Sequence, residues 1–396
     1  MKVLFISTED SKYGAPRAML AMMRTLQVNH GVEPVLLTMK ENEMQDFCEA
    51  HGIEHYSCCY GDMMSGSVFE GRGKNALKHT VKYLQYVRSR LLRFQADRLE
   101  IPFEEIDLIH SNTNRIDIGA YFGEKYHIPH IWHLREMDEG TKGMVYYKRN
   151  WADYMNRHAA AFFAITEVVR NSWIRHGLDE DKIKVVYDGI DLSPIEKRID
   201  RPDGLLKIAS AGRVEKSKGQ EDLARAVCCL PPEMQSRIVI DFIGEPYAEY
   251  ERKLRAILKK GVCRAQVNFL GYCRDVPHRL KDYDVGITCS PAEAFGLTTV
   301  EYMAAGLLTI ATDTGSNLEL MEDGVSGLLY RQGDHRHLAE VLQGVYEKKY
   351  DEDTIREAGM RRAAEAFTAE ENARNVYEEY LRIAGGQSAE YSANRA

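Results

Sequence analysis

Short runs of apolar residues alternate with segments of helical periodicity along the whole chain. In the first half, these runs predict strands at residues 3–7, 34–38, 107–112, 130–134, 161–166 and 184–187. In the second half, they predict strands at residues 206–211, 238–243, 266–270, 285–290, 307–312 and 327–330. Between the strands, apolar positions recur at helical spacing, as in residues 18–29 and 44–51. This alternation indicates an α/β protein whose parallel sheets are covered by helices.

Two such sets of strands in 396 residues predict two doubly wound domains. The boundary is expected within residues 191–204, where Pro194, Pro202 and several charges interrupt the pattern. We therefore predict domains at residues 1–195 and 196–370, followed by a C-terminal segment at 371–396. Helical periodicity from residue 354 to about residue 383 predicts a helical tail, and the polar end that follows is expected to be frayed and disordered.

Composition and charge narrow the classes of function. The chain is 44% hydrophobic and 28% charged with a mean hydropathy of -0.41, which is ordinary for a globular protein. Its net charge of -8 argues against a nucleic-acid partner, because such proteins are basic overall. No apolar run approaches the length of a membrane span, and the N-terminal run is too short for a signal peptide. Eight cysteines without a C-x-x-C pair indicate reduced thiols, so we expect a cytoplasmic protein.

The stretch 285–312 contains the strongest candidate for a ligand site. A predicted strand leads into Glu293, a helix is predicted to begin near Thr298, and a second strand follows it. Ligands of parallel sheets bind at the carboxyl ends of strands, and the open N–H groups at a helix start favour an anion. Glu293 at the mouth and Glu301 on the helix would repel a phosphate, so we expect them to hold hydroxyl groups of a ribose or a sugar.

A loop after another predicted strand carries two cations, Arg213 and Lys218, close to Gly212. Arginine can pair with two phosphate oxygens at once and lysine supplies a point charge. The alternative is a solvated charged loop. Gly14 precedes the first helix, where backbone can approach a phosphate, although an ordinary strand-to-helix turn explains it equally well. His133 stands at the carboxyl end of the fourth strand, where a side chain can face a ligand.

Several of these segments match one family. The string E-A-F-G-L-T-T-V-E from Glu293 to Glu301 resembles the E-x7-E signature of retaining glycosyltransferases of family 4, which have the GT-B fold. The string A-G-R-V-E-K-S-K-G at 211–219 is similar to the family's G-R-x4-K-G segment, and matches continue in family order to about residue 383. The resemblance implies two Rossmann-like domains facing a cleft, the first binding the acceptor and the second the nucleotide sugar. A C-terminal helix would brace the first domain.

The resemblance also implies roles for individual residues. Arg213 and Lys218 would stabilise a diphosphate, Glu293 would position the sugar, Glu301 would bind ribose, and His133 would contact the transferred sugar. The implied catalytic residues are His133, Glu293, Arg213 and Lys218. The implied contacts to the nucleotide sugar are Gly14, Gly212, Tyr272, Phe295, Gly296, Leu297, Thr298 and Glu301. The first loop departs from the family, because Tyr13 stands where a glycine is usual and Pro16 where an acid is common.

The implied reaction is transfer of a sugar, with retention of configuration, from a nucleotide-diphosphate sugar to a hydroxyl acceptor. A UDP-linked donor and a carbohydrate or lipid-linked acceptor are expected, as in bacterial surface polysaccharide synthesis. The acidic triplets at 179–181 and 351–353 fit D-x-D but border predicted helices, so we expect no essential metal and no cofactor. Two alternatives remain, a sugar-nucleotide epimerase of the same fold and a non-catalytic sugar-binding or regulatory protein.

A basic amphipathic helix is predicted at residues 74–98, after a glycine-rich loop at 57–75 that we expect near the acceptor. Its apolar stripe can pack on the domain and leave a solvated basic face. Alternatively, the helix can lie on an anionic membrane surface, which would place the protein at the inner face of the membrane. The apolar stripe comprises Leu77, Val81, Leu84, Val87, Leu91 and Phe94.

Overall fold

The computed structural model describes residues 1–8, 14–65, 74–91, 99–137, 145–193, 195–198 and 204–393. The chain forms two compact units, Met1–Gly189 with Ala369–Ala396, and Ile190–Thr368. Pro194, Pro202 and Tyr13, on which sequence-based expectations depended, lie outside the described residues, as do most of the glycines in the predicted loop at 57–75.

The first unit contains a seven-stranded parallel sheet in the order β3-β2-β1-β5-β6-β8-β9. A short antiparallel pair, β4 and β7, is separate from it. The strands are β1 (Lys2–Ser7), β2 (Glu33–Thr38), β3 (Glu54–Ser57), β4 (Met64–Ser65), β5 (Leu108–Ser111), β6 (His130–Leu134), β7 (Val145–Tyr146), β8 (Ala161–Ala164) and β9 (Ile183–Val185). The order reverses between β1 and β5, which is where doubly wound sheets bind ligands.

Helices cover this sheet, because its strands are apolar on both faces. They are α1 (Gly14–His30), α2 (Glu43–His51), α3 (Lys74–Leu91), α4 (Ile118–Tyr126), α5 (Trp151–His158) and α6 (Glu167–Arg175). In α1, the buried residues Met19, Met22, Met23 and Leu26 recur at helical spacing and pack with the sheet into one core.

The second unit repeats the design with a six-stranded parallel sheet in the order β12-β11-β10-β13-β14-β15. The strands are β10 (Leu206–Ala211), β11 (Ile238–Ile243), β12 (Gln266–Gly271), β13 (Val285–Thr288), β14 (Leu308–Thr312) and β15 (Leu328–Tyr330). The helices are α7 (Glu221–Cys229), α8 (Pro232–Gln235), α9 (Ala248–Lys260), α10 (Val276–Arg279), α11 (Leu297–Ala304), α12 (Asn317–Leu320), α13 (His335–Tyr346) and α14 (Glu352–Ala366). Here the order reverses between β10 and β13.

The C-terminal helix α15 (Ala369–Ala393) belongs to the first unit, as predicted for a bracing helix. Its buried residues Val376, Tyr380 and Ile383 join the core formed by α1 and the sheet. The helical tail predicted from residue 354 is present as two helices, because the chain leaves helical geometry near Phe367, between α14 and α15. Helical backbone continues as far as Ala393, into the end that was predicted to be frayed.

Two further differences concern the region before residue 100. Strand β3 was not predicted, because its sequence E-H-Y-S is polar and it lies half-exposed at the sheet edge. Three residues of the apolar stripe predicted for the basic helix, Val81, Leu84 and Leu91, are 45%, 59% and 72% exposed, whereas Val87 is half-buried. Helix α3 instead packs through buried Tyr86, and residues 92–98 of the predicted helix lie outside the described residues. Within the described part of the chain, no helix has the length and apolar content needed to span a bilayer.

Candidate functional site

The loops that follow β10 and β13 leave the second sheet where its strand order reverses. The first contains Arg213 and Lys218, and the second contains Glu293 and ends at α11. Gly219 brings them together, because its backbone is left-handed (φ +65°) and a Cβ there would lie 2.1 Å from the carbonyl oxygen of Cys289. Only glycine therefore permits this approach between the turn after Lys218 and the end of β13.

Lys218 and Glu293 form the centre of this arrangement. The Lys218 ammonium donates a hydrogen bond of 2.7 Å to Glu293 Oε1, and the Ser290 hydroxyl donates one of 2.5 Å to the same oxygen. The Glu293 side chain is 13% exposed and that of Lys218 is 33% exposed, so the pair lies at the surface edge of the unit. An ammonium has three N–H donors, so Lys218 can bind a carboxylate and an anionic ligand together.

The turn after β14 fixes the loop that carries Glu293. The Ser316 amide donates to the carbonyl oxygen of Glu293 at 3.1 Å, and its hydroxyl donates to the carbonyl oxygen of Phe295 at 2.5 Å. Gly315 packs so closely that a Cβ there would lie 2.7 Å from the same carbonyl oxygen of Glu293. Backbone contacts therefore set the position of Glu293 independently of its own side chain.

Beneath this turn, buried polar side chains tie the strands to the helix. Thr288 and Thr299 share a hydrogen bond of 2.9 Å, and Thr299 donates to Asn317 Oδ1 at 3.3 Å. The Asn317 amide donates to the hydroxyl and carbonyl oxygens of Thr312, whose hydroxyl donates to the carbonyl oxygen of Ser290. A fully satisfied buried network of this kind rigidifies the structure around it.

Helix α11 begins at Leu297, one residue before the predicted start, and Gly296 precedes it with φ +94°. The first N–H groups of a helix have no acceptor within the helix, and its dipole favours an anion there. Glu301 lies on this helix and is only 3% exposed. Phe295 is equally buried and packs edge-on against Phe367. The predicted contacts Phe295 to Thr298 thus lie at one helix start, next to Glu293 in sequence.

Arg213 and Tyr272 occupy more open positions. The Arg213 side chain is 47% exposed and its Nη2 lies 3.2 Å from Glu215 Oε1, while Gln220 donates to its carbonyl oxygen. Gly212, just before it, has φ +121°. Tyr272 follows β12 and is 58% exposed. The structure therefore brings Lys218 and Glu293 into contact, and leaves Arg213 on the rim of its loop, paired with Glu215.

The predicted site residues of the first unit are Gly14 and His133. Gly14 is the first residue of α1, and the loop before it, 9–13, lies outside the described residues. His133 in β6 is fully buried, and its Nδ1 lies 3.0 Å from Nε2 of His110 in β5. His110 Nδ1 in turn lies 2.5 Å from the hydroxyl of Tyr380. The Nε2 atom of His133 is buried without a hydrogen-bond partner among the described residues.

These histidines are neutral near pH 7. Burial first, and the charge of Arg135 second, lower the pKa of both His110 and His133 well below the usual value. Burial raises the pKa of Tyr380 well above its usual value, so its hydroxyl keeps its proton. Arg135 itself donates to Asn112 and forms a buried ion pair of 2.5 Å with Asp188.

Sequence reasoning missed His110, Asn112 and Tyr380 as members of this group. His110 and Asn112 stand at the end of a predicted strand, as His133 does, and that shared position was the available signal. The two acidic triplets border helices as predicted. Asp179 accepts from the Asp181 amide, and Asp351 accepts from the Thr354 amide.

Comparison with known proteins identifies related chains. The family model described as glycosyl transferases group 1 matches residues 193–362, and the model described as glycosyltransferase family 4 matches residues 14–194. Similar curated proteins include the putative glycosyltransferase EpsD of Bacillus subtilis, 29% identical over 47% of this chain and 48% of that protein. The lipopolysaccharide core biosynthesis mannosyltransferase LpsB of Rhizobium meliloti is 24% identical over 54% of this chain and 62% of that protein. The chain thus spans about half the length of the first curated relatives it matches, at 48% and 49%.

Solved structures share the fold over nearly the whole chain. Anabaena Alr3699/HepE, solved in complex with UDP and glucose, has a TM-score of 0.75 at 20% identity, covering 96% of this chain and 99% of that one. A glycosyltransferase from Rickettsia africae also has a TM-score of 0.75, at 16% identity, covering 96% and 98%. WaaG, involved in lipopolysaccharide biosynthesis, has a TM-score of 0.67 at 13% identity, covering 97% and 99%.

Proposed function

The chain belongs to glycosyltransferase family 4 and has the GT-B fold, and we propose that it transfers a sugar from a nucleotide-diphosphate sugar to a hydroxyl acceptor. Membership of the family and the α/β fold of two doubly wound sheets confirm the predictions made from the motifs.

The contact between Lys218 and Glu293 beside the start of α11 carries this proposal. A cation and open helix amides favour a phosphate, whereas a carboxylate favours sugar hydroxyls. A diphosphate sugar has both groups adjacent to each other. A simple phosphate would be repelled by Glu293, and a neutral sugar would offer no anionic oxygen to the remaining N–H donors of Lys218.

We assign roles to the donor-site residues on this basis. Lys218 and Arg213 stabilise the diphosphate as negative charge builds on the leaving oxygen, and the backbone from Phe295 to Thr298 assists. Glu293 positions the transferred sugar and Glu301 binds the ribose hydroxyls. Gly212 lets the loop backbone approach the phosphates, and Tyr272 lies beside the base.

In the first unit, we assign His133 a contact with the transferred sugar or its phosphate, and Gly14 an approach to a phosphate. The neutral ring of His133 suits a hydrogen bond rather than a charge, because its pKa is lowered by burial.

The proposed reaction forms a bond between the acceptor oxygen and the anomeric carbon, while the bond from that carbon to the leaving phosphate oxygen breaks. The leaving phosphate oxygen accepts the acceptor's proton, and attack from the same face retains the configuration. A UDP-linked hexose is the proposed donor, supported by the complexes of Alr3699/HepE with UDP and with UDP-glucose. The name of LpsB, a lipopolysaccharide core biosynthesis mannosyltransferase, supports a polysaccharide or glycolipid acceptor. No metal is assigned a part.

The exposed apolar residues of α3 support one further element of the proposal, peripheral contact with an anionic membrane on the cytoplasmic side. Exposed Leu84 and Arg88 lie on the same helix, in the combination that binds such surfaces. Co-sedimentation with vesicles containing anionic lipid should fall several-fold in a Leu84→Ser, Arg88→Ser variant. Equal co-sedimentation would refute the contact.

A thermal-shift screen followed by a nucleotide-release assay tests the main proposal. A donor present at 100 times its dissociation constant adds about 2.7 kcal/mol of stability, so UDP-, GDP- and ADP-sugars can be ranked directly. We expect nucleotide release only when an acceptor is present. Equal nucleotide release without an acceptor, with water taking the sugar, would indicate a hydrolysing epimerase, and binding without turnover under any condition would indicate a sugar-binding protein.

A further inference from the structure

A chain of hydrogen bonds links the C-terminal helix to His133. The Tyr380 hydroxyl lies 2.5 Å from His110 Nδ1, and His110 Nε2 lies 3.0 Å from His133 Nδ1. All three side chains are fully buried. Tyr380 and His110 are 270 positions apart, so α15 must be docked on the sheet for the chain to form.

The directions of these hydrogen bonds follow from the donors available. Arg135 Nη2 lies 3.4 Å from His133 Nδ1, and a guanidinium can only donate. His133 Nδ1 is therefore an acceptor, so the hydrogen bond between the two histidines requires a proton on His110 Nε2. A neutral His110 that carries its proton on Nε2 has a lone pair on Nδ1, which accepts the proton of the Tyr380 hydroxyl.

We propose that Tyr380 is a positioning residue that, through His110, fixes His133 as the tautomer with its proton on Nε2. That proton sits on the buried Nε2 atom, which has no partner among the described residues. A buried N–H without a partner costs stability unless a ligand uses it. The ligand chemistry that fits is a hydrogen-bond acceptor, an oxygen of the transferred sugar or its phosphate; this last step rests on the proposed transferase function.

The tautomer is measured without any substrate. Long-range proton–nitrogen NMR spectra of protein labelled with 15N-histidine distinguish protonated from unprotonated ring nitrogens. We expect His133 to show a protonated Nε2 and an unprotonated Nδ1. In Tyr380→Phe, His110 loses the donor that fixes its own proton and should shift towards mixed tautomers. His133 keeps only the long 3.4 Å donation from Arg135, so it should shift in the same sense by a smaller amount. Protonation of His133 on Nδ1 in the wild type, or unchanged spectra in Tyr380→Phe, would overturn the inference.

Turnover provides the second arm, with Tyr377→Phe as the matched control. Tyr377 lies on the same helix, is half-buried, and stacks on His30 away from the chain of hydrogen bonds. Losing one hydrogen bond in Tyr380→Phe should lower kcat about tenfold and leave KM within about twofold of wild type. The kcat of Tyr377→Phe should stay within about twofold of wild type. An unchanged kcat in Tyr380→Phe would refute the positioning role.

The two arms separate this inference from the proposed function. A wild-type protein with no turnover on any nucleotide sugar would refute the transferase function, and the NMR result would still decide the tautomer. Active protein with the opposite tautomer would refute only the inference. Thermal melting of both variants shows whether α15 remains docked, because its loss would remove Val376 and Ile383 from the core together with Tyr380.

Discussion

Replacing Gly219 by alanine tests whether the backbone contact beside Cys289 builds the donor site. The new Cβ would lie 2.1 Å from the Cys289 carbonyl oxygen, about 1 Å inside the closest ordinary C···O approach of about 3.3 Å. Because the obstacle is backbone at the end of β13, the turn that holds Lys218 has to move. Overpacking of this kind costs about 1–3 kcal/mol, in addition to about 1–2 kcal/mol for a left-handed alanine.

Gly324→Ala is the matched control. Gly324 is in the same unit and has φ +72°, and a Cβ added there would meet no atom within 4 Å, so this variant carries only the cost of the left-handed backbone. Gly219→Ala should therefore melt about 2–12 °C below Gly324→Ala, using about 2–4 °C for each kcal/mol in a unit of this size. Displacement of Lys218 should also weaken UDP-glucose binding about tenfold or more, the worth of one charge-assisted hydrogen bond.

The assays are differential scanning calorimetry and titration calorimetry with UDP-glucose on the wild type and both variants. Equal melting temperatures for the two alanine variants would refute the clash. Unchanged affinity in a destabilised Gly219→Ala would refute the link between this turn and the donor. Loss of affinity in Gly324→Ala as well would show that any left-handed substitution in the unit disturbs binding.

Three further predictions concern the donor loop, the buried network and pH. Glu293→Gln should lower kcat about 10²-fold without lowering the melting temperature, whereas Glu249→Gln, at an exposed position, should keep kcat within about twofold of wild type. Similar kcat values in the two variants would contradict the role of Glu293. Asn317→Ala should destabilise the protein by about 1–3 kcal/mol in urea unfolding, because it removes a hydrogen-bond partner from buried Thr299 and from buried Thr312. A change near zero would show that the network does not stabilise the fold. As pH is lowered below about 6.5, the free energy of unfolding should fall by about 1.4 kcal/mol per pH unit for each buried neutral histidine, because the unfolded chain takes up protons that the folded chain excludes. An unfolding free energy that stays constant from pH 7 to 5 would contradict this. The histidines are His110, His130, whose pKa burial lowers to about 3, and His133.

Local pattern predicted most of the fold, because strands buried on both faces are continuous apolar runs. The strand His130–Leu134 was predicted at its observed bounds for this reason. The edge strand β3 was missed, since a half-exposed strand needs few apolar residues. The break at Phe367 was missed because helical periodicity continues on both sides of it, and the contact of Phe367 with Phe295 joins segments that are distant in sequence.

The candidate site was predictable only where its parts are local in sequence. Glu293, Gly296 and Leu297 lie in one loop and helix start, so spacing placed them together. Contact between Lys218 and Glu293 depends on β10 and β13 being neighbours in the sheet. The order of the strands along the sequence does not show which strands are neighbours. The link from Tyr380 to His110 joins residues 270 positions apart, and no pattern in either segment predicts it.

Binding of UDP and of uridine to the wild type and to Lys218→Ala measures the role of the Lys218–Glu293 pair most directly, with Lys216→Ala as the control on the same turn. We expect Lys218→Ala to weaken UDP binding about tenfold or more and to leave uridine binding unchanged, because only UDP has a diphosphate for the ammonium to hold. Equal UDP affinity in Lys218→Ala and Lys216→Ala would contradict this role, since the pair of Lys218 and Glu293 would then lie outside the donor site.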